Sequence, residues 1–543
     1  MKHWVAIAIF IICFSLTTYI APHAGVSWDE PDNIFAAGVY INFFQKGMDA
    51  KILASHDASA SYFQDKIFTQ EPSLFRYPPF PLYIGSMMVL IGEKLFGTLG
   101  PQQIIAAFHM ASGFFWAIFA VALYYFIRLF GFSIFVAGIT ALLGALHPTL
   151  FGYGFSTIKD SSQVSLFVVS LLLLVLATTT KKKRWFVLGT ITWGAAMATK
   201  INAIYVPCIW AGWRMLLITS QTLIAKQELS IHSKLKQLFY RYTKILAQTA
   251  MVIAGGLIVM VVLWPYLWFD PVTRLGEVFT YFTTVGTGYK VFWNGEHYMV
   301  GTGAPLPWYP IIHMIVGTPL FIQICILVGG FLLIKEMVTQ RKVSPWFVLL
   351  LVWAGVPLFR ILSPYAAFYD GMRHFLEVLP PVLLLSAWGI RALESFLHRR
   401  LGDSRQSLAL TTLVCLPYLC FLAWHFFPYN SGYVNALVRN PNTTLERDYG
   451  GVSVAEAVRL AHTFKSGPSR FFVPIAGHLS WYYLSYGDSY VYGVDDADIL
   501  ILINKPSHII KTTFDTEVSS MFELKGSVIR GNDDFAWIYV KRS

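Results

Sequence analysis

Residues 162–179 read SQVSLFVVSLLLLVLATT, and residues 181–184 read KKKR. A helix of the first length extends about 27 Å, close to the roughly 30 Å of a bilayer's hydrocarbon core. Four consecutive cations then stop it, as cytoplasmic flanks of membrane spans do. The whole chain reads the same way. Of 543 residues 55% are hydrophobic and only 13% charged, with a mean hydropathy of +0.54. Soluble domains carry about 25% charged residues. So few charges do not cover the several cores this length would otherwise imply. A cytosolic enzyme, a secreted disulfide scaffold and a disordered chain are excluded. Cys13, Cys208, Cys325, Cys415 and Cys420 sit in apolar runs without metal spacing and read as small core residues.

Working outward from 162–179, further apolar stretches fall at 4–22, 103–127, 133–151, 185–199, 201–218, 245–267, 311–334, 345–362, 374–392 and 407–427. The first has features of a signal peptide in Lys2, Ala21 and Ala24, but the loop after it needs an anchor, so it is read as a span. The stretch 79–97 (PFPLYIGSMMVLIGEKLFG) is decided by charge. Basic clusters lie at Lys181–Arg184, Lys226–Lys244, Lys335–Lys342 and Arg391–Arg405, with sixteen Lys/Arg against four acids. Two crossings separate each from the next, so all lie on one side, which the positive-inside rule makes cytoplasmic. Lys2 joins that side only if 79–97 does not cross. The expected fold class is therefore a polytopic α-helical membrane protein with about 11 transmembrane helices, amino terminus in and carboxyl terminus out.

The same placement explains the formal net charge of +11. It is a topology signal, and no nucleic-acid footprint lies behind it. Residues 428–543 lose the apolar runs. Ile499–Ile503 and Ala536–Lys541 read as strands and 451–464 as a helix, giving an extracytoplasmic α/β domain after a membrane domain at 1–427. The first outer loop, 23–102, would carry the interfacial segment 79–97. A second, 268–310, is rich in Gly, Pro and Trp. The absence of an internal repeat weighs against inverted-repeat transporters.

Three polar clusters stand at the outer ends of spans. Ser27-Trp28-Asp29-Glu30-Pro31-Asp32 follows the first span; a solvated loop, with Asp32 capping a helix at 33–46, is the plain reading. The functional one is a carboxylate base or metal ligand at the lipid boundary. His147-Pro148 with Lys159-Asp160 precedes the span at 162, as a surface ion pair or as an ammonium for a phosphate at headgroup level. Tyr369-Asp370-Gly371-Met372-Arg373-His374 precedes another span, where Arg373 either snorkels or, with Lys159 and Arg76, forms a cationic cradle.

The order of Trp28-Asp29-Glu30, Arg76-Tyr77-Pro78-Pro79, Lys159-Asp160, Leu306-Pro307-Trp308-Tyr309-Pro310 and Arg373-His374-Phe375 resembles the GT-C superfamily of membrane glycosyltransferases. Within it the chain looks most like protein O-mannosyltransferases (glycosyltransferase family 39) and lipid A aminoarabinose transferases. The resemblance implies a GT-C fold, with 79–97 as its juxtamembrane helix, and inverting sugar transfer from a polyprenyl-phosphate donor to an acceptor hydroxyl. The acceptor would be a protein, lipid or glycan. Asp29 would be the base with Glu30 beside it; Lys159, Arg373, Arg76 and His374 would hold the donor phosphate; Asp160 would orient the acceptor or Lys159, and Trp308 and Tyr309 would be acceptor-side or orienting residues. No cofactor is required by this chemistry. His297 resembles a metal-side His of the aminoarabinose transferases, where a divalent metal would bind.

The chain departs from that group in Arg76-Tyr77-Pro78, where the group has Glu-Lys-Pro, and in Asp32, where it has an Arg. It also lacks a loop long enough for MIR domains and the Trp-Trp-Asp signature of oligosaccharyltransferases. A bacterial inner membrane, with the site on its periplasmic or extracellular face, is the expected location. The alternative is a polyprenyl-linked glycan flippase or transporter, which would place ionisable residues near mid-membrane rather than at one interface. A receptor whose tail does the binding would leave the Asp29-Glu30 loop without a role.

Overall fold

Hydrocarbon offers backbone N–H and C=O groups no partner, so apolar stretches of this length fold as helices. A computed structural model describes residues 3–54, 61–67, 77–224, 230–303, 308–363, 365–440 and 444–542. In chain order the principal helices begin with α1 (Trp4–Ile20), α2 (Glu30–Gln45), α3 (Phe80–Phe96), α4 (Pro101–Leu129), α5 (Ile134–Ala145) and α6 (Pro148–Ser156). They continue with α7 (Ile158–Thr180), α8 (Lys183–Met197), α9 (Tyr205–Ile224), α10 (Ile231–Leu263), α11 (Pro271–Thr284) and α12 (Trp308–Gly317). The last are α13 (Leu320–Gln340), α14 (Pro345–Leu358), α15 (Leu379–Leu401), α16 (Ser404–His425), α17 (Val454–Phe464) and α18 (Lys511–Val518).

Among the described residues eight helices are long and apolar enough to cross a membrane, and a ninth span arises if α5 and α6, bent by 67°, count as one. Each of the eleven expected stretches holds a helix. Two of them, α8 and α14, have only 15 and 14 residues, against the about 20 that a perpendicular crossing needs. The α3 helix has 17 residues and packs on α2 and α4.

Three of the boundaries that differ from expectation bear on the site or the topology. Lys159 and Asp160 lie in the first turn of α7 rather than in a loop, because the helix starts at Ile158. Lys234–Lys244 lies on α10, whose 33 residues (about 50 Å) outrun a bilayer core, so its basic half is a helical extension of the span. The third is the start of α2, described with the site below.

Small residues set the closest helix crossings. A Cβ added at Gly329 would lie 2.1 Å from the Leu385 carbonyl oxygen, and one at Gly389 would lie 2.2 Å from that of Cys325, so α13 and α15 touch through bare backbone. Gly256 admits the face of Trp193 in the same way, joining α10 to α8. Exposed Ile258, Leu327, Phe331, Phe421 and Trp424 form the outward, lipid-suited surface.

After α16 the chain builds a five-stranded mixed sheet. Its strands β3 (Arg470–Phe472), β4 (Ser489–Tyr490), β5 (Ile499–Ile503), β6 (Phe522–Arg530) and β7 (Asp533–Lys541) follow a hairpin of β1 (Lys290–Trp293) and β2 (Glu296–Met299) in the second loop. The sheet order is β4-β3-β5-β7-β6, with β3 parallel to β4 and β5 and β7 antiparallel to both its neighbours. All five residues of β5 are buried, which is why the run carries no alternation. The amphipathic α17 packs on this sheet. This is the expected C-terminal α/β unit, and it sits on the ends of the membrane helices that carry the polar clusters.

Candidate active site

Pro31 in the first turn starts α2 at Glu30, three residues earlier than expected, so Asp32 lies within the first turn. Asp29 occupies the N-cap position, where an Asp side chain ordinarily bonds the helix's own N–H groups. Here it makes no such bond. Its Oδ2 instead accepts from Arg373 Nη2. Glu30 turns the other way. Oε2 accepts from the Ser27 N–H at 2.7 Å and Oε1 lies 2.7 Å from His109 Nε2, in the interior. Asp29 keeps 43% of its side chain exposed, Glu30 only 3%. Of the two expected acids, the structure brings Asp29 alone to the cavity.

Arg373 is the hub. Beyond Asp29, its Nε donates to Asp160 Oδ2 at 2.9 Å, and Nη1 lies 3.6 Å from Asp370 Oδ2. Asp160 is buried, and its other oxygen accepts from Lys200 Nζ at 2.6 Å. The fold places Lys200 there by running α7 away from the site and α8 back to it. Two cations on one buried carboxylate compensate its desolvation. At Asp29, desolvation raises the carboxyl's pKa and the Arg373 guanidinium lowers it by more, leaving it below the usual carboxylate range.

Lys159 stands beside this network, its ammonium 4.1 Å from the Tyr77 ring centroid. Among the described residues no carboxylate lies within ion-pairing distance of it, though Asp29, Arg373, Asp160 and Asp32 act on it electrostatically. Arg373, Lys200 and Lys159 thus face Asp29 and Asp160 at one interface. The cavity is lined by Ser27, Trp28, Asp29, Tyr153, Asp370, Arg373 and Tyr449 among others.

The C-terminal unit supplies one wall. Gly450 accepts from the Trp28 N–H at 2.8 Å, and His478 Nε2 meets the Trp28 carbonyl at 3.1 Å. Asp448 accepts from the Val452 and Ser453 N–H groups, turning Asp448-Tyr449-Gly450-Gly451 into the start of α17. Lys505, just beyond β5, reaches Asp370.

Tyr309 is buried, and its hydroxyl accepts from the Gly371 N–H at 2.9 Å. It therefore shapes the Asp370-Gly371 turn from behind. Trp308 is 65% exposed. The His374 ring meets Tyr369 edge-on at 4.5 Å, and its carbonyl accepts from Arg360. Arg76 lies outside the described residues. His297 stands on β2, its Nε2 2.8 Å from the Pro506 carbonyl. Among the described residues no group of three or more His, Cys, Asp or Glu is arranged to hold a metal. Lys200, Asp370 and Lys505 were not among the expected site residues. Lys200 carried a signal, a lone Lys between two spans at the end shared with Lys159; Lys505 carried none.

No protein-family model and no curated protein matches the sequence. Solved structures do. The aminoarabinose transferase ArnT from Cupriavidus metallidurans bound to undecaprenyl phosphate aligns over 99% of this chain and 98% of its own, with 13% identity and a TM-score of 0.50. The chain has the GT-C fold. The archaeal oligosaccharyltransferase AglB from Archaeoglobus fulgidus, in complex with an inhibitory peptide and a dolichol-phosphate, aligns over 92% of this chain and 69% of its own at 11% identity and a TM-score of 0.46. Within this fold the loop after α1, the start of α7 and the turn before α15 meet under the C-terminal sheet.

Proposed function

We propose that this GT-C protein is an inverting glycosyltransferase that moves a hexose or pentose from a polyprenyl-phosphate donor to an acceptor hydroxyl. The observation that carries the reading is the solvent-reachable carboxylate of Asp29 facing Arg373 and Lys159 at one membrane interface. The alignment with a transferase bound to undecaprenyl phosphate supports the donor class. The basic clusters at the opposite helix ends support a site on the outer face of a bacterial inner membrane.

The chemistry follows from the charges. Asp29 takes the proton of the acceptor hydroxyl, whose oxygen forms a bond to the anomeric carbon from the face opposite the phosphate. The bond from that carbon to the phosphate oxygen breaks and its electron pair leaves with the polyprenyl phosphate. Lys159 and Arg373 stabilise the charge that develops there, in a site where water is partly excluded. Asp160 and Lys200 hold Arg373 in place, and Arg76 is a further cation for the same phosphate. A mannose-type sugar and a protein, lipid or glycan acceptor are the candidates. The loop at 448–451 and the C-terminal sheet close the site over the acceptor.

The test is transfer in detergent from a panel of radiolabelled polyprenyl-phosphate sugars, with wild type beside Asp29→Asn. Label leaving the lipid only with the wild type supports the reading and names the sugar. Lipid bound or moved without release of label from any donor would point to a transporter.

A further inference from the structure

Lys505 belongs to the C-terminal sheet unit, yet its ammonium lies at the membrane site. Nζ donates to Asp370 Oδ1 at 2.7 Å and to the Tyr449 carbonyl at 3.2 Å, with 6% of the side chain exposed. The Trp28 ring centroid is 5.8 Å away. A cap that merely covered the site would be better built from apolar contacts, since a buried ammonium is costly unless it is paired. Its acid partner is itself unusual. Asp370 has φ +54° and precedes Gly371 at φ +62°, a left-handed pair that costs energy at a residue bearing a side chain. Tyr153 and Tyr309 bond this turn from two sides, through the Asp370 carbonyl and the Gly371 N–H.

We propose that Lys505 is a positioning residue for the transfer reaction, holding Asp370 so that the Arg373 guanidinium stays available to the donor phosphate. The inference rests on the transferase reading above. Asp370 offers one oxygen to Lys505 and leaves the other 3.6 Å from Arg373, looser than the 2.9 Å bond from Arg373 to Asp160. Burial alone would lower the Lys505 pKa, but Asp370 and then Glu446 raise it above the ordinary value, so the ammonium stays charged. With Lys505 neutral, Asp370 turns wholly to Arg373 and competes with the phosphate. The two anchors are symmetric in logic: Lys200 holds Asp160 from the membrane helices, and Lys505 holds Asp370 from the sheet unit.

The experiment uses the full chain in detergent, with wild type, Asp29→Asn, Lys505→Gln, Lys505→Arg, Asp370→Asn and the Lys505→Gln/Asp370→Asn pair. Donor KM, acceptor KM, kcat and the thermal midpoint are measured for each. Lys505→Gln should raise the donor KM about tenfold per folded molecule with the acceptor KM held, beyond what any fall in the thermal midpoint accounts for, and Lys505→Arg should restore most of it. The double variant should be no worse than the more affected single variant, because the two residues act through one contact. A wild-type donor KM in Lys505→Gln, a loss that only follows the folded fraction, or effects that multiply in the double variant would each overturn the inference. If Asp29→Asn transfers as well as wild type, the transferase reading itself fails and takes this inference with it.

Discussion

Asp29 and Glu30 are neighbours in the chain whose carboxylates face opposite ways: Asp29 meets Arg373 at the cavity, Glu30 meets His109 at 2.7 Å in the interior. The turn into α2 produces this split. It gives one acid to the site and spends the other on holding the loop against α4.

Asp29→Asn should lower kcat by about a thousandfold while donor binding persists, within the range a general base contributes. The acid side of the pH profile follows from the depressed pKa. A carboxyl held below the usual range is still largely ionised where a free one is half protonated, at about pH 3.9, so kcat/KM should show no loss from Asp29 until pH falls below that. The stabilisation from the Asp29–Arg373 pair has the same sign: fully present above the unfolded carboxyl's value and lost as pH falls through the lower folded one. An activity midpoint near pH 6 assigned to Asp29 would contradict this.

Lys159→Ala and Arg373→Ala should each raise the donor KM, by about tenfold or more, and leave the acceptor KM nearly unchanged. Arg373→Ala should also lower the thermal midpoint, because it leaves buried Asp160 with Lys200 alone. Arg373→Lys should recover little, since an ammonium cannot reach three carboxylates as a guanidinium fork does. Steady-state kinetics with each substrate varied in turn checks this, and a selective acceptor defect would refute the cradle.

Glu30→Ala should act on stability rather than on chemistry. Both its oxygens are engaged and His109 Nδ1 is already bonded to the Ala21 carbonyl at 2.9 Å. Removing one member of such a buried pair costs roughly 3–5 kcal/mol. Thermal unfolding in detergent should fall sharply, with kcat per folded molecule reduced far less than in Asp29→Asn. Equal kcat losses at an unchanged midpoint would place Glu30 in the reaction.

Gly389→Leu should force α13 and α15 apart, since even a Cβ there would stand 2.2 Å from the Cys325 carbonyl oxygen. Overpacking of this kind costs about 1–3 kcal/mol or more. The expected readout is a lower thermal midpoint, with Gly330→Leu, where a Cβ meets nothing within 4 Å, as the tolerated control.

Single cysteines at Asn294, in the β1–β2 turn, and at Lys182, between α7 and α8, should label from opposite sides of the membrane. The Asn294 site lies with the C-terminal unit, where its N–H bonds the Thr444 carbonyl at 2.7 Å. Labelling of both from one side would overturn the topology.

The helices were legible because lipid imposes one backbone solution on any long apolar run, and the basic clusters after 180, 225, 334 and 390 marked one face. The strand at Ile499–Ile503 was legible for a similar reason, as five consecutive apolar residues. Asp29, Lys159, Asp160 and Arg373 were legible as ionisable residues at the ends of spans. Their pairing was not: Arg373 is 344 positions from Asp29 and 213 from Asp160.

By itself, then, the sequence determined the membrane class, the helical runs, the carboxy-terminal sheet and which polar residues stand at span ends. These follow from local solvation, which each segment expresses whatever its neighbours do. Only the tertiary structure decided that Glu30 turns to His109, that Lys200 returns to Asp160 and that Lys505 enters from the sheet unit. Those choices depend on which helix ends meet, and a charge finds its partner by distance in space, which composition and spacing do not encode.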